Sequence, residues 1–137
     1  MTAREYLAQV SELDALINAK LSEISRLRLS AESISAVKYD GEKVQTSENS
    51  SMRIIDKIMD LERTINEEIN TLIDLKVEVR DSINKVYHPR FITILIDKYI
   101  NGFTLEQIAE RMNVAPKTVY RWHGTALQLF RKENNMK

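Results

Sequence analysis

The amino-acid sequence predicts an all-α protein. A long N-terminal antiparallel helical hairpin of coiled-coil character, residues 1–87, precedes a C-terminal three-helix domain, residues 88–137, that carries a helix-turn-helix. Three observations predict it. Only three Gly and two Pro punctuate 137 residues, too few to turn a sheet of short strands. Apolar residues recur at alternating three- and four-residue steps over most of the first 87 positions, the spacing of a helical seam. Finally, Thr104-Leu105-Glu106-Gln107 is a capping box one short turn ahead of a second, proline-opened helix.

The first helix opens on its own capping box, Thr2-Ala3-Arg4-Glu5. Its stripe runs Tyr6, Val10, Leu13, Ile17, Ile24, Leu27, Ala31, Ile34, with Lys20 as the one polar break. Leu7, Leu16 and Leu21 widen the stripe, so the helix is expected to face more than one neighbour. Between residues 35 and 50 the periodicity fails. Ser35, Asp40, Gly41, Ser47, Asn49 and Ser50 cluster there, which reads as a loop. Ser50 or Ser51 then caps a second helix running to about Tyr87. Its apolar set includes Ile55, Ile58, Leu61, Ile65, Ile69, Leu72, Leu75, Val79, Ile83 and Val86. At about 50 Å, such a rod is too long to bury its stripe alone. It is expected to fold back on the first helix and to use the remainder for self-association or for docking a partner.

His88-Pro89 ends the second helix, because a residue before proline is pushed out of the helical region. Pro89 opens a helix reaching Ile100, which Asn101-Gly102 breaks. Thr104 caps the next helix, with Phe103 and Ile108 as its hydrophobic staple, and that helix ends near Met112. Asn113-Val114-Ala115 is the turn, and Pro116 opens the last helix, to about Lys132. Two helices crossing at so short a turn need a small residue between them, supplied by Ala109. They also need a turn residue that tolerates positive φ, which Asn113 does better than most. Ile108, Met112, Val114, Val119 and Trp122 are the expected inward positions. The competing reading is an ordinary helical hairpin without a DNA-facing surface.

Composition narrows the chemistry. With 43% hydrophobic and 29% charged residues the chain is globular rather than disordered. No cysteine is present, which excludes a disulfide framework and thiolate metal sites and fits a reducing cytoplasm. No apolar run approaches membrane-spanning length and no signal pattern opens the chain. A soluble, intracellular protein is therefore expected, with no membrane partner. The zero net charge hides an asymmetry. Residues 1–87 hold twelve Lys/Arg against sixteen Asp/Glu, and residues 88–137 hold eight against four. Local cationic density at the C-terminal part suits phosphate attraction. His88 and His123 have no partner at metal-ligand spacing, no glycine loop exists to cradle phosphate, and the acidic residues read as solvated faces. No enzyme, metal or cofactor is expected.

If the helix-turn-helix holds, the last helix enters the major groove by its N-terminal half. The expected base contacts are Pro116, Lys117, Thr118, Tyr120 and Arg121, with Lys117 and Arg121 donating to guanine. The expected backbone contacts are Thr104, Arg111, His123, Arg131 and Lys132.

Over Asn101-Gly102-Phe103-Thr104-Leu105-Glu106-Gln107-Ile108-Ala109 and Val119 to Leu127 the chain resembles the region 4 domain of bacterial sigma factors. The full chain, with its "A-x-E-Y-L" first helix and its Gly41-Glu42-Lys43-Val44-Gln45 loop, resembles small ArpU-like, sigma-like late transcription regulators of phages and prophages. The resemblance implies a promoter-reading helix, with Pro116, Lys117, Tyr120 and Arg121 as its reading residues. Two departures matter. Pro116 stands where sigma factors tend to place a basic residue, and Ala115 replaces a capping Ser or Thr, a loss of about 1 kcal/mol. The sigma regions that melt DNA and grip the polymerase core have no counterpart here. Three functions stay open. They are a double-stranded DNA-binding transcription regulator, a small-terminase-like DNA-packaging recognition subunit, and a helical adaptor that docks a protein such as host RNA polymerase without touching DNA. A ring-shaped oligomer would favour the second. Activity indifferent to Lys117→Ala with Arg121→Ala would favour the third.

Overall fold

The computed structural model describes residues 1–37 and 44–137, and the side chains of residues 1–33 and 50–137. The described residues form helices and no strand. In order they are α1 (Ala3–Val37), α2 (Val44–Asn84), α3 (Pro89–Leu95, continued by a π-helical turn Ile96–Ile100), α4 (Leu105–Met112) and α5 (Pro116–Glu133). The protein is all-α, as its sparse Gly and Pro predict. No helix among the described residues is long and apolar enough to cross a membrane.

The Glu5 amide donates to the Thr2 hydroxyl at 3.2 Å and the Thr2 amide to the Glu5 carboxylate at 3.0 Å, closing the first capping box. The expected loop over 35–50 is largely replaced by helix: α1 continues to Val37 and α2 begins at Val44, so Ser50 and Ser51 lie inside α2 and do not cap it. The polar residues Gln45 to Asn49 lower helix propensity by only tenths of a kcal/mol each, and extending an existing helix requires no new nucleus. The part of the expected loop at residues 38–43, with Gly41, lies outside the described residues. At the other end α2 stops at Asn84, three residues before the expected Tyr87. Tyr87 takes a left-handed φ of 55° and His88 is extended ahead of Pro89, a stop that the helix cannot cross.

Contacts divide the chain into two compact units. One comprises residues 14–71. Here α1 contributes Ile17 and Ile24 to the core, and α2 contributes Ile58 and Ile65. Each pair is seven residues apart, so one buried residue recurs per heptad. Lys20, the polar break in the α1 stripe, pairs with Glu68 of α2, and Arg28 pairs with Glu62. The partners advance in opposite directions along the two helices, so the pairing is antiparallel. Lys20 and Glu68 retain only 24% and 19% of side-chain exposure. A polar layer of this kind disfavours slipped registers, which would bury each charge against an apolar residue. Leu16 and Leu21, read as widening the buried stripe, are instead exposed at 44% and 46%.

The other unit comprises residues 1–13 and 72–137. The first turns of α1 and the last turns of α2 thus belong by contact with α3, α4 and α5. Leu7, Val10, Val79, Ile83 and Phe130 are fully buried. The Tyr6 and Phe130 rings stack at 6.2 Å, the Tyr6 and Ser82 hydroxyls bond at 3.3 Å, and the Asn134 side-chain amide donates to the Ser82 carbonyl at 3.0 Å. Burial pushes the Tyr6 hydroxyl above its ordinary pKa. The Lys137 carbonyl accepts the Ala3 amide at 2.9 Å, bringing the two ends of the described chain together.

The polar layer makes a measurable prediction. Lys20→Met leaves Glu68 half-buried without its cation and is expected to cost about 1–2 kcal/mol. Adding Glu68→Met removes the stranded carboxylate and is expected to restore wild-type stability or exceed it, as read by urea denaturation.

Candidate nucleic-acid interface

The α4 and α5 helices cross against α3 around one apolar cluster. Ile94, Leu105, Ile108, Ala109 and Val119 are buried in it, and Phe103, Met112, Val114 and Trp122 pack partly buried on its rim. Each inward position read from the sequence is in this set. Ala109 is 1% exposed, and its single methyl lets the two backbones approach. The Thr104 hydroxyl accepts the Gln107 amide at 3.1 Å, and the Gln107 side-chain oxygen accepts the Thr104 amide at 2.9 Å, completing the second capping box. At the far end of α4, Asn113 adopts φ 57°, ψ 44°, the left-handed conformation that Asn tolerates better than most side chains. The Val114 amide then reaches back to the Ala109 carbonyl at 3.0 Å.

The turn ahead of α4 is held by a group that the sequence reading passed over. Asp97 is 8% exposed. Its carboxylate accepts the Asn101 side-chain amide at 3.0 Å and faces the Arg111 guanidinium at 4.0 Å. Its carbonyl accepts the Phe103 amide at 2.9 Å. Gly102, at φ 77°, supplies the left-handed step between them. The helix read as continuous from Pro89 to Ile100 changes to π geometry after Leu95, and the Asn101 amide bonds five residues back to Ile96. The i,i+4 spacing of Asp97 and Asn101 was legible; the burial that makes it matter was not.

Ala115 precedes α5 in extended conformation and makes no side-chain cap bond, and Pro116 occupies the first helical position. Inward, α5 buries Val119, His123, Ala126, Leu127 and Phe130. Outward, Pro116, Lys117, Tyr120, Arg121 and Gly124 are exposed and Thr118 is half-buried. The five expected base-contacting residues therefore lie together on the first six positions of one helix. The Tyr120 hydroxyl donates to the Glu106 carboxylate on α4. That bond holds Glu106 below the usual carboxylate range and pushes Tyr120 up. The sequence reading missed Glu106, since no local spacing links positions on different helices.

The expected backbone contacts fare unequally. Thr104 is exposed, with its hydroxyl already accepting within the cap. Arg111 is exposed with its guanidinium 4.4 Å from the Phe103 ring centroid. Lys132 is exposed and Arg131 half-buried, but both stand about 20 Å along the α5 axis from Lys117. His123 is a correction. It is 9% exposed, and its Nε2 shares a 2.7 Å hydrogen bond with the Tyr99 hydroxyl. Position 123 is one helical turn beyond buried Val119, so it shares the inward face. Trp122, one of the expected inward positions, stands at the edge of that face with the Arg90 guanidinium 4.3 Å over its ring. Burial first, then the charges of Arg4 and Lys98, lower the His123 pKa to about 4.

Among the described residues no group of three His, Cys, Asp or Glu is placed to hold a metal ion. The His123 environment sets a pH dependence. An unfolded His protonates near 6.5 and the folded one near 4, so the neutral form's contribution is complete above pH 6.5 and is lost as pH falls toward 4. The loss is expected to reach about 2–3 kcal/mol, and His123→Gln is expected to flatten the stability profile across that window. Asn113→Gly is expected to be neutral or mildly stabilising, and Asn113→Val to cost about 1–2 kcal/mol, because a β-branched residue resists left-handed φ. Thermal denaturation of the two variants reads this directly.

Neither the curated proteins nor the solved structures contain a match to the chain. One family model covers residues 28–130, from within α1 through Phe130 of α5. It therefore reaches into both compact units and includes α4, the turn and α5 as far as Phe130. The chain belongs to the family described as protein of unknown function (DUF1492).

Proposed function

We propose that this protein binds double-stranded DNA in a sequence-specific way, with α4, the Asn113 turn and α5 acting as a helix-turn-helix and α5 as its recognition helix. The observation that carries the reading is the outer face of α5. Pro116, Lys117, Tyr120 and Arg121 are exposed together on its first turns, while the same helix is anchored by buried Val119, Leu127 and Phe130. A rigid helix with a free cationic N-terminal half fits a major groove about 12 Å wide. Lys117 and Arg121 are the donors for guanine O6 and N7, and the Tyr120 ring and Thr118 suit a thymine methyl. Glu106, held beside Tyr120, adds an acceptor of the kind a cytosine amino group requires. Thr104 and Arg111 flank this face as phosphate contacts; Arg131 and Lys132 serve a longer backbone path, and His123 has no part in it.

The resemblance to sigma region 4 and to ArpU-like regulators extends the proposal to transcription regulation from a phage or prophage, in the cytoplasm of the bacterial host. Residues 1–87 then serve self-association and contact with RNA polymerase. A dimer would present two recognition helices to half-sites about 34 Å apart or a multiple of that. No enzymatic activity or cofactor enters the proposal.

Selection of bound sequences from a random duplex pool with the purified chain tests it. A discrete motif is expected, with affinity falling steeply as salt rises, because neutralised phosphates release counterions. Arg121→Ala is expected to cost about 1–3 kcal/mol and relax one position of that motif, whereas Lys117→Ala combined with Arg121→Ala is expected to abolish selection while leaving helicity unchanged. Protein that ignores every duplex at low ionic strength, or a double variant that selects like wild type, overturns the proposal.

A further inference from the structure

Within the unit of residues 14–71, α2 carries a second apolar line that α1 does not cover. Met52, Ile55, Met59 and Ile69 are exposed at 62%, 49%, 57% and 36%. With Glu62 and Asn66 completing the three- and four-residue steps, they form one continuous heptad line beside the seam of Ile58 and Ile65 that is buried toward α1. A helix with two adjacent seams is built for partners on two sides. This line borders an open groove of about 340 Å³ between α1 and α2, lined by Leu21, Ile24, Ile65 and Ile69.

We infer that the α2 helix of a second copy of this chain covers this line, running antiparallel, with Met52 opposite Ile69 of the second copy, Ile55 opposite Asn66 and Met59 opposite Glu62. Charge selects this arrangement over its competitors. A parallel pairing would set the Asp56 and Arg63 flank against the Ile58 and Ile65 flank of the second copy, which is already buried toward α1; only an antiparallel pairing sets the charged flank against itself. Antiparallel registers are spaced seven residues apart. In the inferred one, exposed Asp56 on the flank faces exposed Arg63 of the second copy, and two-fold symmetry makes the pair twice. Slipping by one heptad in one direction sets Arg63 against Arg63; slipping in the other sets Asp56 against Asp56. Glu62 enters with its own cation, since Arg28 of the same chain already pairs with it. The overlap of residues 52–69 is about 26 Å long. This gives residues and a direction to the self-association in the proposal above, and it stands apart from any DNA contact.

The chain has no cysteine, so introduced thiols report geometry directly. Full-length Met52→Cys mixed with full-length Ile69→Cys is expected to yield a disulfide-linked heterodimer under mild oxidation. Either variant alone is expected to stay uncrosslinked, because its two equivalent thiols stand about 25 Å apart. In sedimentation equilibrium the wild type is expected to dimerise, Asp56→Arg to weaken association about tenfold with helicity retained, and Asp56→Arg with Arg63→Asp to regain it. A wild type that is monomeric at tens of micromolar overturns the inference. So does Met52→Cys crosslinking to itself, or a double charge variant no better than the single one. Failure to select DNA with crosslinking intact would sink the proposed function and leave this pairing in place.

Discussion

The close crossing of α4 and α5 is the constraint on which the candidate interface depends. Ala109 is small enough to sit between the helices, and Asn113 turns the chain through left-handed φ so that α5 can start at Pro116 in a new direction. Those two conditions set how α5 is rotated about its axis. Val119, Ala126, Leu127 and Phe130 then fall inward and Lys117, Tyr120 and Arg121 fall outward without further instruction. A larger residue at 109 would push the helices apart and turn the outer face with them. The missing side-chain cap at Ala115 is tolerable because Pro116 carries no amide hydrogen to satisfy and its φ is already helical.

Polar groups in this protein act at the places where apolar packing alone is ambiguous. An apolar heptad seam between two long helices allows several registers that differ by seven residues. Lys20 with Glu68 and Arg28 with Glu62 favour one of them. Asp97 does the equivalent for the α3–α4 turn, tying Asn101, Phe103 and Arg111 to one carboxyl group and its carbonyl. Buried His123 and half-buried Tyr99 form a hydrogen-bonded pair between α5 and the π-helical turn. For Lys20 with Glu68, for Asp97 and for His123, the cost of leaving a buried or half-buried polar group unpaired, rather than the strength of the bond itself, confers the specificity.

Surface charge follows a different logic. Glu106 lies next to the cationic face of α5 and binds the Tyr120 hydroxyl. The face is therefore not uniformly positive, and the attraction it offers to phosphate is local rather than spread over the unit. Under the proposed function, such a patterned face sorts partners more than it gathers them: a base edge would have to match the donors of Lys117 and Arg121 and also the acceptor at Glu106.

Much of this was legible in the sequence because it is set by local chemistry. Both capping boxes, the stop at His88-Pro89, the left-handed turn at Asn113 and the inward set around Ala109 each depend on residues within a few positions of one another. Helix periodicity carries them without knowledge of the fold. What the tertiary structure alone decided lies between elements distant in sequence. Inward-facing His123 met Tyr99, 24 positions away, as its hydrogen-bonding partner; Lys20 became a register pin rather than a defect because Glu68 meets it. The start of α2 moved to Val44 because helix extension is cheap once a long helix exists, and sequence polarity cannot weigh that. Spacing reports which face a residue occupies, but only packing determines what stands opposite that face, and hence whether a charge there is solvated, paired or buried.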